Sequence, residues 1–181
     1  VKPCYVDLAA KALDWPDVGV GTVVNFPHGN SLPQVAVLEA YEALGDGATE
    51  LDMVINIGAA ISGEWSLVLD GIEAVVEIGH EWDAIVKVIF ETCYLPASTI
   101  KQLCRLCVDA KADFVKTSTG YGTYGATEDA VAVMLHTVAG RLQVKASGGI
   151  TTYADAEKFL DLGCTRLGTS KVEELFPYEV V

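Results

Sequence analysis

Six short apolar runs, each closing on small, polar or glycine residues, alternate along the chain with longer stretches whose apolar residues recur at helical spacing. The runs fall near 18–26 (VGVGTVVNF), 50–55 (ELDMVI), 84–91 (AIVKVIFE), 113–119 (DFVKTST), 143–147 (QVKAS) and 164–169 (CTRLGT). Continuous apolar runs of this length, rich in β-branched residues, predict strands buried on both faces. Between them, Ser31 is expected to cap a helix running to about Asp46, and residues 64–81 carry a helical period. Ser98 is expected to cap a helix to about Lys111 and Thr127 one ending near Ala139, where Gly140 is a natural stop. Thr152 opens the last helix, with Asp155 at its positive dipole end and Gly163 closing it.

Strict alternation of strand and helix, with a period near 30 residues, predicts an α/β protein with a parallel sheet, either open or closed into a barrel. The clusters NFPHGN, NIG, ETC, TSTGYG, SGG and GTS lie at the carboxyl ends of successive strands. An open sheet concentrates its chemistry at one switch point, whereas a barrel collects it from many strand ends. A (β/α)8 TIM barrel is therefore the expected fold. Such a barrel needs about 200 residues or more, and the 181 residues here hold six units and open on VKP, like the end of a strand already in progress. The expectation is a single barrel domain over 1–181, truncated at its amino end and lacking about the first two strands.

Three lysines stand alone inside apolar runs: Lys87, Lys116 and Lys145, spaced by 29 and 29 residues. The equal spacing suggests equivalent strand positions. A lone strand lysine is more often a structural ion pair or a snorkelling side chain. Three at regular spacing reverse that preference and point to amine chemistry. Burial or a neighbouring cation lowers a lysine's pKa, and a neutral amine attacks carbonyls. Asp52, in another strand, taken alone is a strand-end carboxylate satisfied by backbone donors about as often as a catalyst.

Composition narrows the classes. A net charge of −13 argues against nucleic acid or an anionic membrane as a partner. Apolar stretches stay short of the roughly 18 residues that span a bilayer, and no secretory leader opens the chain, which favours the cytoplasm. Cys4, Cys93, Cys104, Cys107 and Cys164 sit in apolar contexts expected of reduced core thiols. Cys104 and Cys107 fall at i and i+3 of a predicted helix without a second pair, so core packing outweighs zinc or redox chemistry. His28, His80 and His136 share no metal-ligand spacing; His28 approaches the rim through NFPHG, and the others look like helix residues. The glycine clusters do not form a dinucleotide fingerprint.

TVVNFPHGN, ELDMVINIG, KVIFET, ADFVKTSTG, VKASGGI and RLGTS together resemble, in order and spacing, the deoxyribose-phosphate aldolase family. The resemblance covers almost the whole chain, and VKTSTG followed about 30 residues later by VKASGG is its most specific part. It implies a class I aldolase on a (β/α)8 barrel, cleaving 2-deoxy-D-ribose 5-phosphate reversibly to acetaldehyde and D-glyceraldehyde 3-phosphate through a Schiff base, with no metal or other cofactor. By motif, Lys116 would form the Schiff base, Lys145 would be its neighbouring cation, and Asp52 would join the proton relay. Lys87 would pair with acidic groups such as Asp52, and Thr119 would support the site.

Gly120, Gly148, Gly149, Gly168 and Ser170 would form the phosphate loops, helped by helix amino ends. Tyr121 stands where some members carry a lysine, and Thr151 where an arginine often follows the glycines, so either a relaxed phosphate affinity or a shift in preference toward unphosphorylated aldehydes is expected. The family's first strand, with its DHT-like motif, and a pocket cysteine expected just before Val1 have no counterpart; Cys4 does not replace the latter. The resemblance is compatible with a homodimer. Two other readings remain: a Schiff-base aldolase or lyase for a different phosphosugar, and a non-catalytic sugar-phosphate-binding barrel fragment.

Overall fold

Each predicted run contributes one short strand in a computed structural model that describes residues 1–13, 15 and 17–175. The strands are β1 Gly21–Val24, β2 Glu50–Val54, β3 Ile85–Ile89, β4 Phe114–Lys116, β5 Gln143–Ser147 and β6 Arg166–Gly168. They pair in parallel, in sequential order from β1 to β6. Helices precede and follow them: α1 Val6–Ala12, α2 Pro33–Gly45, α3 Ile57–Ser62, α4 Trp65–Glu81, α5 Ala97–Asp109, α6 Glu128–Val138, α7 Tyr153–Leu162 and α8 Val172–Leu175.

Four strand-to-strand steps in a flat sheet would separate β2 from β6 by roughly 19 Å. Instead the Arg166 guanidinium on β6 donates to the Glu50 carboxylate on β2 at 3.1 Å. The sheet is therefore curled into a half-barrel with its polar face inward. Register fixes which residues face in, because parallel partners share a face. Glu50, Asp52, Lys87, Lys116, Lys145, Ser147, Arg166 and Gly168 all belong to one set. The alternate residues, Leu51, Met53, Val86, Val88, Val115, Val144 and Ala146, are buried in the main hydrophobic core beneath the helices. Concentrating apolar burial on the outer face leaves the inner face free for charge.

Two of the predicted caps form and two do not. The Thr127 and Thr152 side chains accept from the amides of Ala130 and Asp155, and Asp155 completes a capping box. Ser31 does not cap α2. Pro33 is its first residue behind Leu32, and the Ser31 amide instead donates to Asn25 Oδ1 at 2.9 Å. Proline needs no amide partner at that position, so the helix starts without a side-chain acceptor. Ser98 likewise lies inside the first turn of α5, behind Pro96. Unforeseen in the sequence were α1 and the six-residue α3, which Asn56 caps and Gly63 closes in the left-handed region.

Cys104, Cys107 and Cys164 are buried, but Cys4 is exposed and Cys93 half-buried, so the core-thiol expectation fails for those two. Cys4 lies in a short 3-10 turn, Pro3–Tyr5, that buries no side chain. His28 is exposed, while His80 and His136 lie on α4 and α6.

Gly29 pins the loop after β1: its φ is +68°, and a Cβ there would lie 1.7 Å from the Ile55 carbonyl oxygen. Gly29→Ala is expected to lose on the order of 3 kcal/mol, combining left-handed strain with a backbone clash. Chemical denaturation of the two proteins measures the difference.

Candidate active site

Strand register sorts the three lysines into two layers. Lys116 on β4 lies directly across from Lys145 on β5, whereas Lys87 on β3 lies across from Phe114, two residues below Lys116, and across from Asp52 on its other side. The equal spacing in sequence thus does not mean equal height. Connection lengths differ from unit to unit, and the stagger of a curled sheet absorbs the difference.

One carboxylate gathers all three ammoniums. Asp52 Oδ1 accepts from Lys87 Nζ at 2.8 Å, while Oδ2 accepts from both Lys116 Nζ and Lys145 Nζ at 2.7 Å. Lys87 is fully buried and reaches down to Glu50 Oε2 at 2.7 Å. Glu50 in turn holds Arg166, whose guanidinium lies 5.8 Å from the Phe114 ring centroid. Two carboxylates therefore answer four cations in a largely buried interior. That positive excess makes every charge in the cluster depend on the others.

The titration shifts follow from this balance. Burial pushes the Asp52 carboxyl up, but Lys116, Lys145 and Lys87 outweigh it and hold the group well below the usual carboxylate range. Glu50 is also lowered: burial opposes, and Lys87 and Arg166 prevail. Lys145 moves the other way from an ordinary lysine. Burial and the Lys116 charge bring it down to about 8, with Asp52 resisting. Because the folded Asp52 carboxyl sits below its unfolded value, it adds stability above about pH 4 that is lost in acid. The lowered Lys145 amine costs stability that builds as pH falls from about 10.5 to about 8, where the unfolded lysine is protonated and the folded one is not, and stays constant below.

Above the cluster, the loops after β4, β5 and β6 enclose a cleft of about 470 Å³. Lys116 opens into it, and Thr119, Gly120, Gly148, Gly149, Gly168 and Ser170 line it. All five residues assigned to phosphate loops are thus brought together. Adding a Cβ at Gly120 or Gly149 would meet nothing within 4 Å, so both border open space. Gly125 serves packing instead: a Cβ there would lie 2.1 Å from the Gly148 carbonyl oxygen, and only glycine lets these two loops touch. Ser147 ties the loops together, its hydroxyl donating to the Ser118 carbonyl at 2.7 Å and its amide to Thr117 Oγ1 at 3.1 Å.

At the amino end of α7, the amides of Thr151 and Thr152 donate to Asp155 Oδ2 at 3.2 and 3.0 Å, so the capping carboxylate uses two of the donors there. Thr151 adds no charge, and Tyr121 is exposed with its ring edge-on to Phe26 at 5.5 Å. Among the described residues, no group of three or more His, Cys, Asp or Glu side chains is placed to hold a metal ion, and no helix is long and apolar enough to cross a membrane.

Glu50, Glu91, Ser147 and Arg166 were not singled out from the sequence. A period-two signal was available for two of them: Glu50 precedes Asp52, and Arg166 precedes Gly168, by two residues on the same strand face. Period two also put Glu91 in phase with Lys87 in the predicted 84–91 run, but the strand ends at Ile89 and the backbone at Glu91 turns left-handed, with φ at 58°, so that phase does not set its direction.

Fold and site together define an α/β half-barrel enzyme built around buried amines on the inner face of parallel strands. Comparisons with known proteins narrow the class. A family profile described as DeoC/LacD family aldolase matches residues 1–162, and the chain belongs to that family. It is 48% identical over 172 residues to the deoxyribose-phosphate aldolase of Carboxydothermus hydrogenoformans, covering 94% of this chain and 75% of that one. With the deoxyribose-phosphate aldolase of Thermococcus gammatolerans the identity is 49%, covering 94% and 76%. Among solved structures, the aldolase QR15 superimposes with a TM-score of 0.91 at 38% identity over 97% of this chain and 77% of that one. The tetrameric deoxyribose phosphate aldolase of Aeropyrum pernix gives 0.89 at 30% identity over 97% and 74%.

The charge balance predicts opposite shifts for two substitutions. Lys116→Met removes a cation that lowers Lys145 and is expected to move its titration upward from about 8. Asp52→Asn removes the carboxylate that raises it and is expected to move it downward. The pH midpoint of acetic anhydride labelling at Lys145, followed by mass spectrometry, measures both.

Proposed function

We propose that this chain is a deoxyribose-phosphate aldolase that cleaves 2-deoxy-D-ribose 5-phosphate to acetaldehyde and D-glyceraldehyde 3-phosphate through a Schiff base on Lys116. The observation that carries the reading is the Lys116 amine, held at one oxygen of Asp52 beside Lys145 and open to a glycine-lined cleft. The names and identities of the relatives support the substrate.

In this reading the neutral Lys116 amine attacks the C1 carbonyl of the open-chain sugar, and loss of water leaves a protonated imine. The imine withdraws the C2–C3 bonding pair as the C3 hydroxyl gives up its proton. Glyceraldehyde 3-phosphate departs and an enamine remains. Protonation at C2 and hydrolysis then release acetaldehyde and restore the amine. These steps require a group that binds and releases protons near neutral pH. Lys145, at about 8, is suited to that exchange, and Asp52 joins the relay as the acceptor that Lys116 and Lys145 share. Asp52 bridges the two amines through one oxygen. Lys87, paired to both Asp52 and Glu50, fixes that bridge from below.

The phosphate is read onto the loop residues Gly120, Gly148, Gly149, Gly168 and Ser170. We further read the six strands as consecutive members of a (β/α)8 barrel and the described residues as one barrel domain. The Glu50 to Arg166 contact across the interior supports the curvature that such a barrel needs.

Incubation with acetaldehyde and sodium borohydride is expected to add an ethyl group to Lys116, read by intact mass and peptide mapping. Lys116→Arg should abolish the adduct and lower sugar cleavage by at least about a thousand-fold. Absence of an adduct on the unsubstituted chain, with reagents shown competent on a free amine, would sink the reading. The cation-poor rim carries a second expectation: Tyr121→Lys should lower KM for the phosphorylated sugar several-fold by adding a phosphate partner, as steady-state kinetics would show.

A further inference from the structure

Glu91 is a buried carboxylate that the proposed chemistry does not use. It is 2% exposed and, among the described residues, makes no ion pair. Burying a carboxylate without a cation is costly unless donors surround it. Its donors come from one residue: the Thr119 amide reaches Oε1 at 3.2 Å, and the Thr119 hydroxyl donates to Oε2.

The backbone is arranged to make this contact. On either side of Glu91, the amides of Phe90 and Thr92 donate to the carbonyls of Lys116 and Thr117, both at 3.0 Å. Those bonds lock the end of β3 to the end of β4, and the left-handed φ of Glu91 lies between them. The contact then propagates along the loop. Tyr121 donates its amide to Thr119 Oγ1 at 3.0 Å, and a Cβ at Gly122 would come within 3.0 Å of the Glu91 carboxyl carbon. The loop after the reacting lysine therefore wraps over Glu91 on one flank, while Ser147 holds its other flank through Thr117 and Ser118.

From this geometry we propose that Glu91 is a positioning residue: through Thr119 it sets the 119–121 loop that carries Gly120 into the phosphate-binding side of the cleft. The inference rests on the aldolase reading for its substrate. It also redefines Thr119. That side chain has one hydroxyl hydrogen, and Glu91 takes it, so Thr119 shapes the loop and is not a donor to substrate.

The test uses inorganic phosphate as the probe and isothermal titration as the readout, which does not depend on catalysis. Glu91→Gln keeps an acceptor for the Thr119 amide but sets an NH2 donor where the charged acceptor of the Thr119 hydroxyl was. It is expected to weaken phosphate binding about ten-fold, the loss of one good charged hydrogen bond. KM for deoxyribose 5-phosphate should rise in parallel, with kcat within about two-fold and acetaldehyde trapping on Lys116 unchanged. Thr119→Ser should bind phosphate as the unsubstituted chain does, and Thr119→Val should match Glu91→Gln. That pair decides the matter if Glu91→Gln does not fold. Unchanged phosphate affinity in Glu91→Gln and Thr119→Val would overturn the proposal. So would no phosphate binding by the unsubstituted chain, or a fall in kcat and trapping together with Tm, which marks a merely structural role. Failure of trapping on the unsubstituted chain overturns the aldolase reading alone, and the phosphate affinities still decide the role of Glu91.

Discussion

Asp52 is the constraint around which the interior is organised. Three ammoniums cannot share a buried space without a counter-charge, and one carboxylate touching all three at 2.7 to 2.8 Å is the smallest arrangement that meets this need. It also leaves the positive charges in excess. Full neutralisation would have made three ordinary buried ion pairs. Partial neutralisation keeps Lys145 near its titration point and leaves Lys116 facing the cleft.

The parallel sheet makes this arrangement possible. Side chains that alternate between faces let the same six strands bury aliphatic residues under the helices and charged residues inside the curl. Leu51 and Met53 flank Asp52 in sequence and lie on the opposite face, in the apolar core. A register slip of one residue on β2 would move Asp52 into that core and a leucine or methionine among the ammoniums. Fold specificity and the charge cluster thus reinforce each other.

Much of this was legible in the chain. The apolar runs located all six strands, and the polar clusters at their ends located the rim. Lys87, Lys116 and Lys145 were recognisable because a charged residue inside an aliphatic run requires a reason, whereas Asp52 was assigned through the resemblance of ELDMVINIG to the family. What could not be read was relative height. Nothing in equal spacing reveals that Lys87 sits two residues below Lys116, since connection lengths alter the stagger. The capping errors at Ser31 and Ser98 share a cause: in both, a nearby proline defined the helix start more strongly than a hydroxyl could. Glu91 was in phase with Lys87 in the predicted run, but its orientation depends on a left-handed backbone turn past the strand end, which periodicity does not reveal.

The tie between Glu50 and Arg166 bears on the order in which the protein is built. These partners lie 116 residues apart, and loops of that span close late because chain entropy must be surrendered first. β2 through β5 precede β6 in the chain, so all three ammoniums that meet Asp52 are synthesised before the arginine that meets Glu50. The lower end of the charge ladder is completed only when β6 pairs with β5. The charge balance beneath Lys87 thereby depends on a strand that supplies none of the Asp52 contacts.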